Sequence, residues 1–525
     1  MHEAPDRLDL LSLPLLALLY AIMNPRPNIL FITSDQQHWS LLGALTPGLQ
    51  TPNLDQLARQ GTRFDRAYCP NPTCTPTRSS WITGLYPSQH GAYSLGTKLP
   101  ENVPTIGESL HPAGYDCSLI GKAHFQPLKG TEEYPSLESY PTLQDLDYWR
   151  DFHGPFYGFN HVELARNHTD EAHVGQHYAI WMEEKGATQW RDWFSPPTGN
   201  TPAQHHRWNI PEEYHYNTWI TERSMARLDH YQQSEEPFFL WASYFDPHPS
   251  YLVPEPWASM YDPDEIEIPP QGLDDQSVWP ELLKRVVGDN KDFEPWKEEG
   301  GNGIHGIYQG RIDEAKLKKD IAIYYGMMSM LDHFIGQLLD HLESTGMAEN
   351  TLVVFSSDHG HYFGQHGLGA KGPFHFEDGI RVPMIVRWPG EVAADRTTDV
   401  LQSQIDYAAT FLDAAGVNVP GTMAARSQLD VWRGDEANVR AKVCVEFRHQ
   451  PTKLNLRTYI DRRYKLTIWN TPTDGELYDL ESDPEERCNL WYDPAHSELK
   501  QRLLHEAVLA EMDKEPYFMP RVSGA

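Results

Sequence analysis

Short, fully apolar runs alternate along the chain with longer stretches of helical period. NILFITSD, from Asn28 to Asp35, is apolar until its last residues, as in a buried parallel strand whose carboxyl end opens onto a loop. TPNLDQLARQGTRF then places Leu54, Leu57 and Ala58 on one helical face and stops at Gly61. AYCPNPTC reads as loop, and SSWITGL as the start of the next helix. The alternation returns at YDCSLIGKAHF, at PFFLWASYFDPHPS, at the amphipathic IAIYYGMMSMLDHFIGQLLDHL followed by TLVVFSSDHG, and at VPMIVRW. It predicts an α/β fold, a large mixed, mostly parallel sheet sandwiched by helices. Between about Tyr140 and Trp219 the period weakens and Trp, His, Gly and Pro accumulate, which reads as inserted loops and short helices. Beyond about Gly421 the runs AKVCVEF, LNLRTYI, YKLTIW and ELYDL, followed by the helical SELKQRLLHEAVLAEMDK, predict a smaller C-terminal antiparallel sheet plus helix. The expected organisation is an N-terminal extension over residues 1–25, a main domain over 26–420 and a C-terminal subdomain over 421–525.

Charge narrows the classes of partner. Lys+Arg number 43 against 74 Asp+Glu, a formal net charge of -31 over 525 residues, which disfavours nucleic acid and anionic membrane. An anionic ligand would have to be captured by a local basic pocket. The five cysteines, Cys69, Cys74, Cys117, Cys444 and Cys488, are scattered and odd in number, so no disulfide framework is expected and a reduced, cytoplasmic compartment is favoured. LLSLPLLALLYAIM, from Leu10 to Met23, has the length of a signal-peptide core and is shorter than the ~20 residues of a membrane span. The MHEAPDRLD before it is acidic and no A-x-A site follows, so it reads as an extended start; acting as a signal, it would place the protein in the periplasm or outside the cell. The Asn-His-Thr at Asn167 is a glycosylation acceptor only in a secreted eukaryotic protein and is taken as coincidence.

Candidate chemistry gathers where strands end. The predicted strand ends carry Asp35 and Gln36, Lys122 and His124 in GKAH, Asp246 and His248 in FDPHP, and Asp358 and His359 in SSDHG. Singly, each has a structural explanation, since Asp caps helices, Lys is usually solvated and Asp-His-Gly makes a turn. Together, at the carboxyl ends of strands in an α/β sheet, they describe one site. CTPTR adds Cys74, flanked by hydroxyls, a proline and an arginine, unlike the apolar setting of a structural cysteine.

These segments resemble the type I sulfatases of the alkaline phosphatase superfamily, which begin with a PNIL-like strand ending in an Asp pair and carry a C-x-P-S-R signature. The resemblance runs through RPNILFITSDQQ, CTPTRSSWITGLYPSQHG, GKAHF, PFFLWASYFDPHPS, SSDHGHYFGQHGLGAKGPFHFEDGIRVPMIVRWPG and ELYDLESDPEERCNLW, most of the chain from Arg26 onward. It implies that a separate maturase oxidises Cys74 to formylglycine, whose hydrated aldehyde is the nucleophile. One hydroxyl attacks sulfur and the other later expels the sulfate by regenerating the aldehyde. Thr77 stands where the signature has Ser, and Arg78 matches the arginine that anchors the modified side chain. Asp35, Gln36, Asp358 and His359 match the metal-binding positions, with residue 74 completing the shell. Ca²⁺ is the family's usual ion; Gln36 in place of a second acid, and His359 where many relatives have Asn, make Mn²⁺ the alternative. Lys122 and Lys371 match sulfate-binding lysines, His248 the acid that protonates the departing alkoxide, and His124 the base that serves sulfate release. His90, in SQHG, is either a further site residue or a turn histidine bonded to backbone.

The resemblance implies a sulfuric ester hydrolase acting on a sulfated small molecule or saccharide. Trp181, Trp190, Trp193, Trp208 and Trp219, interspersed with His168, His173, His177, His205, His206 and His215, are the expected substrate wall and favour a sulfated carbohydrate over a small aryl or alkyl sulfate, although core packing is the commoner fate of any single tryptophan. A phosphonate monoester or phosphodiester hydrolase is the enzymatic alternative, because such relatives often carry Asp-Gln and Asp-His in the metal site. A sulfoglycan-binding protein without activity is the reading of a different class, and applies if Cys74 is never modified.

Overall fold

The computed structural model describes residues 26–166, 173–194, 206–234, 236–271, 276–288, 293–296, 312–435, 439–448, 453–516 and 523. The N-terminal stretch 1–25, Asn167, His168 and His205 lie outside them. No helix among the described residues is long and apolar enough to cross a membrane.

Eight strands form the main sheet, in the order Arg396–Thr398, Thr62–Phe64, Met384–Arg387, Thr351–Ser357, Asn28–Ser34, Phe238–Ser243, Asp116–Gly121 and His161–Leu164. The five strands from Thr351–Ser357 to His161–Leu164 run parallel, and Met384–Arg387 joins them antiparallel. Alternation inside each apolar run explains why both faces are covered. In the strand Asn28–Ser34, Ile29 and Phe31 pack with Trp81, Ile82, Tyr407 and Phe411, while Leu30 and Ile32 pack with Leu54, Leu228, Tyr324 and Leu331. The first set comes from the helices Cys74–Thr83 and Tyr407–Ala414, the second from Pro52–Gln60, Tyr216–Ser234 and Glu314–Ser344. An apolar run without alternation suits such a doubly buried strand.

Register places the polar strand ends side by side. Ser34 pairs with Ser357 and Thr33 with Ser243, which in turn pairs with Gly121, so four adjacent strands finish level. Asp35, Lys122, Asp246 and Asp358 therefore emerge along one edge. Gly121 allows this closeness, because a Cβ there would lie 2.0 Å from the Ser243 carbonyl oxygen.

Three expectations are corrected. The helix after CPNPT begins at Cys74, not at Ser79, and Pro76 sits in its first turn, where its missing N–H leaves no helical bond unmade. The Trp-rich region is not an open wall. Trp190 and Trp219 are fully buried, Trp181 and Trp208 nearly so, and all four belong to the core beneath the strand Asn28–Ser34, with half-buried Trp193 packed against it. His177 and His215 are buried as well, and burial pushes their pKa values down to about 4 and about 3. His161–Leu164, read as loop, is the edge strand of the sheet.

The four C-terminal runs form an antiparallel meander, Val443–Arg448, Asn455–Ile460, Tyr464–Trp469 and Gly475–Asp479, with the helix Ser497–Met512 packed on it through Leu503. Lys465 ties this sheet to the main body, reaching Glu377 at 3.1 Å and also pairing with Glu486.

Candidate active site

Each polar strand end contributes one part of a buried constellation around Cys74. The Cys74 Sγ lies 3.1 Å from Lys371 Nζ, 3.2 Å from His359 Nε2 and 3.7 Å from Asp35 Oδ1. Its thiol is perturbed from both sides. Burial and the Asp35 and Asp358 charges push the pKa up, but Lys122 and Lys371 outweigh them and leave it below the ordinary thiol value. Cys69, Cys117 and Cys444 are buried too, and there burial drives the thiols upward. Lys514 and Arg440 act on Cys444 without offsetting its burial, so among the four buried cysteines only the Cys74 thiol is brought below its ordinary value, which resolves its odd sequence setting.

Arg78 lies one helical turn beyond Cys74 and is wholly buried. Its Nε donates to Asp358 Oδ2 at 2.8 Å, and its Nη1 to the Lys122 carbonyl at 2.9 Å and to Ser243 Oγ at 2.8 Å. The guanidinium fork thus links the loops after three strands, a geometry an ammonium could not match. Thr77 is turned away from the constellation, with its hydroxyl donating to the Asn71 carbonyl at 2.7 Å.

Asp35, Cys74, Asp358 and His359 offer ligand atoms that all lie within 4.8 Å of one another. Burial pushes the Asp35 pKa up, but Lys122, bonded to it directly, together with Arg78, Lys371 and His359, holds it well below the ordinary carboxylate range. Asp358 accepts from the backbone N–H groups of Gln36 and His359 at 2.9 and 3.0 Å. Gly360 lets the loop turn here, since a Cβ would meet the Asp378 carbonyl oxygen at 2.0 Å. The Gln36 side chain donates its amide nitrogen to His361, and its Oε1 is buried with no hydrogen-bond partner among the described residues. Two carboxylates, an imidazole and an orphaned amide oxygen fit a divalent cation of the Ca²⁺ or Mn²⁺ kind.

Lys371, in direct contact with the thiol, also reaches His248. His248 Nδ1 donates to the Pro249 carbonyl, so its Nε2 is an acceptor, and Lys371 Nζ lies 3.0 Å from it. Burial, Lys371, Lys122 and His359 all hold the imidazole in its neutral form. His124 sits in a left-handed backbone conformation, φ 59°, with its N–H donating to Glu138 Oε2 at 3.0 Å. Glu138 Oε1 also accepts from Phe125 and Gln126, and Oε2 pairs with Arg166 Nη1 at 2.7 Å.

Two residues singled out from the sequence fall outside the constellation. Asp246 turns its carboxylate to Tyr216 and to Asn217, and burial pushes its pKa up to about 7. His90 bonds Ser80 Oγ and the Ala92 N–H, which is the turn-histidine alternative. Conversely, Glu138, Arg166, His361, Tyr251 and Tyr324 escaped sequence reading. The histidine two places after His359 in SSDHGHYFG was a visible signal for His361; the loop around Glu138 offered none.

The family model described as Sulfatase matches residues 27–417, and that described as N-sulphoglucosamine sulphohydrolase, C-terminal, matches residues 364–514. The uncharacterised sulfatase YidJ of Escherichia coli (strain K12) is 28% identical over 507 residues, covering 93% of this chain and 88% of that protein. The N-acetylglucosamine-6-O-sulfatase of Bacteroides thetaiotaomicron is 26% identical over 566 residues, covering 96% of this chain and 92% of its own. The crystal structure of the phosphonate monoester hydrolase of Agrobacterium radiobacter shares the fold, with a TM-score of 0.76 at 24% identity, covering 93% of this chain and 96% of that one. The chain belongs to the sulfatase family and is a hydrolase of the alkaline phosphatase-like fold.

Proposed function

We propose that the protein hydrolyses a sulfate monoester, on a carbohydrate, with Cys74 converted by a maturase to formylglycine and a divalent ion, Ca²⁺ first and Mn²⁺ as the alternative, in the adjoining site. The observation that carries this reading is Cys74 itself, a buried side chain whose reacting atom faces Lys371, His359 and Asp35 within 3.7 Å. Asp35, Gln36, Asp358 and His359, with residue 74, would hold the ion, which supplies Lewis-acid charge to the sulfate oxygens. Formylglycine supplies the hydroxyl nucleophile that a thiol does not.

The chain's own residues do the rest. Lys122 and Lys371 bring fixed positive charge into a protein of net charge -31 and draw the ester's anionic group to residue 74. Arg78 holds Asp358 and the Lys122 loop in place, so the cation site and the sulfate site keep their spacing. His248 is neutral and presents its Nε2 lone pair to Lys371. Its role as proton donor to the leaving alkoxide thus starts when the anionic ester binds and compensates a charge on the ring. His124 serves the later proton removal at residue 74. Cleavage of an aryl sulfate by protein co-produced with a formylglycine-generating maturase, set against a Cys74→Ala control, tests the reading; equal rates in both would refute it.

One observation favours a second reading. The structural likeness to the phosphonate monoester hydrolase, TM-score 0.76, exceeds that to the protein solved with D-glucosamine-2-N,6-O-disulfate, TM-score 0.65, and the resemblance drawn from the sequence makes Gln36 and His359 departures from the commonest sulfatase pattern. Phosphonate monoester hydrolysis by the same constellation is the competing activity. The intact GKAH pair favours sulfate.

A further inference from the structure

Gln36 is an amide beside the carboxylates of Asp35 and Asp358, and an amide has a problem a carboxylate lacks. Its two ends have the same size and opposite polarity, so it serves a cation only if the oxygen is the end that faces it. Beside Asp35 and Asp358 an unrestrained amide would turn its NH₂ toward the negative charge.

Every other polar atom of Gln36 is held. The backbone N–H donates to Asp358 Oδ1 at 2.9 Å, the Tyr324 hydroxyl donates to the backbone carbonyl, and the amide Nε2 lies 3.0 Å from His361 Nδ1. Only Oε1 lacks a partner among the described residues. The backbone is fixed at φ 61°, a conformation that costs a non-glycine residue energy and persists only where its surroundings impose it.

The His361 ring is fixed in turn. An amide nitrogen can only donate, so Nδ1 must accept and the ring proton sits on Nε2, where it donates to the Tyr251 hydroxyl 3.0 Å away. Tyr324 and Phe363 cover the ring at centroid distances of 4.8 and 4.6 Å and block its rotation. With Nδ1 locked as an acceptor, the reversed amide would set oxygen against a lone pair.

We propose that His361, oriented by Tyr251, is a positioning residue that turns the Gln36 amide so that its oxygen serves the divalent-metal site. The inference rests on the metal reading above and adds a residue that touches neither substrate nor ion. It predicts that the need for His361 exists only because residue 36 is an amide.

Calorimetric titration of the purified full chain with Mn²⁺ and with Ca²⁺ tests this without any activity measurement. His361→Leu should weaken metal binding about 10–100-fold, the usual effect of losing a residue that orients a ligand. His361→Asn, whose Oδ1 falls where Nδ1 stands, should restore affinity to within about 3-fold. In a Q36E background, where both ends of the side chain are oxygen, H361L should cost less than about 3-fold. Equal loss in both backgrounds, no loss in either, or an H361N protein as weak as H361L would overturn the inference while leaving the metal site standing. Wild-type protein that takes up neither ion would overturn the metal reading and this one with it.

Discussion

Replacing Glu138 by Gln changes one atom, yet whichever way the new amide turns, its NH₂ faces donors. Oε1 accepts from the N–H groups of Phe125 and Gln126 at 2.9 and 3.2 Å, and Oε2 from His124 at 3.0 Å and Arg166 at 2.7 Å. Two bonds to a charged acceptor are lost at about 1.5–3 kcal/mol each, and Arg166 is left buried without its counter-charge, so a cost of about 4 kcal/mol follows. At ~2.1 cal/mol/K per residue, an unfolding entropy of about 1 kcal/mol/K for 525 residues converts this to a fall of about 4 °C in Tm. Activity should suffer more, because the same bonds hold His124 at its left-handed φ of 59°. Displacement of such a group by about 1 Å lowers kcat/KM about 100-fold. Thermal melting and aryl sulfate turnover of E138Q measure both. A melting point within about 1 °C of wild type, with kcat/KM unchanged, would refute the reasoning.

Other perturbations separate core from site. Trp219→Ala should destabilise by about 3–5 kcal/mol, as for any fully buried tryptophan, with KM unchanged at a temperature where the variant stays folded; a raised KM there would return Trp219 to the substrate wall. Glu163 is buried, which pushes its pKa up, but hydrogen bonds from His161 and Arg223 and the Arg223 charge bring it down from 4.5 to about 2. A depressed carboxyl adds stability above its unfolded pKa and loses it as pH falls through the folded one. The stability gap between wild type and Glu163→Gln, up to about 3 kcal/mol at neutral pH and less for the solvent around Arg223, should close between pH 4.5 and about 2; a gap independent of pH in chemical denaturation would contradict this. Arg78→Lys keeps the charge but cannot bridge Asp358, the Lys122 carbonyl and Ser243 together, so turnover should fall at least about 100-fold while a folded protein is still recovered; wild-type turnover would show that the fork is dispensable.

How much could be read from the chain depended on periodicity and on polarity out of place. Doubly buried strands such as NILFITS are apolar through their middle, so their polar ends stand out, which is why Asp35, Lys122, Asp358 and His359 were legible before their contacts. Lys371, in a loop, was found only through resemblance. The tryptophans stayed between wall and core because an indole wants either a sugar or a core, and composition does not say which. Here the helix Tyr216–Ser234 and the edge strand His161–Leu164 give the region a core to fill. Glu138 was invisible because its function is to accept from backbone N–H groups 12–14 residues away, which leaves no mark on spacing. His361 is intermediate: its neighbour His359 was singled out, but the reason for a second imidazole emerges only when the Gln36 amide is seen to need one.

The most direct test compares kcat/KM for an aryl sulfate and a phosphonate monoester in one preparation, co-produced with a maturase and run beside Cys74→Ala. The account predicts faster cleavage of the sulfate, lost entirely in Cys74→Ala. A clear preference for the phosphonate would contradict it and assign the same constellation to phosphonate esters.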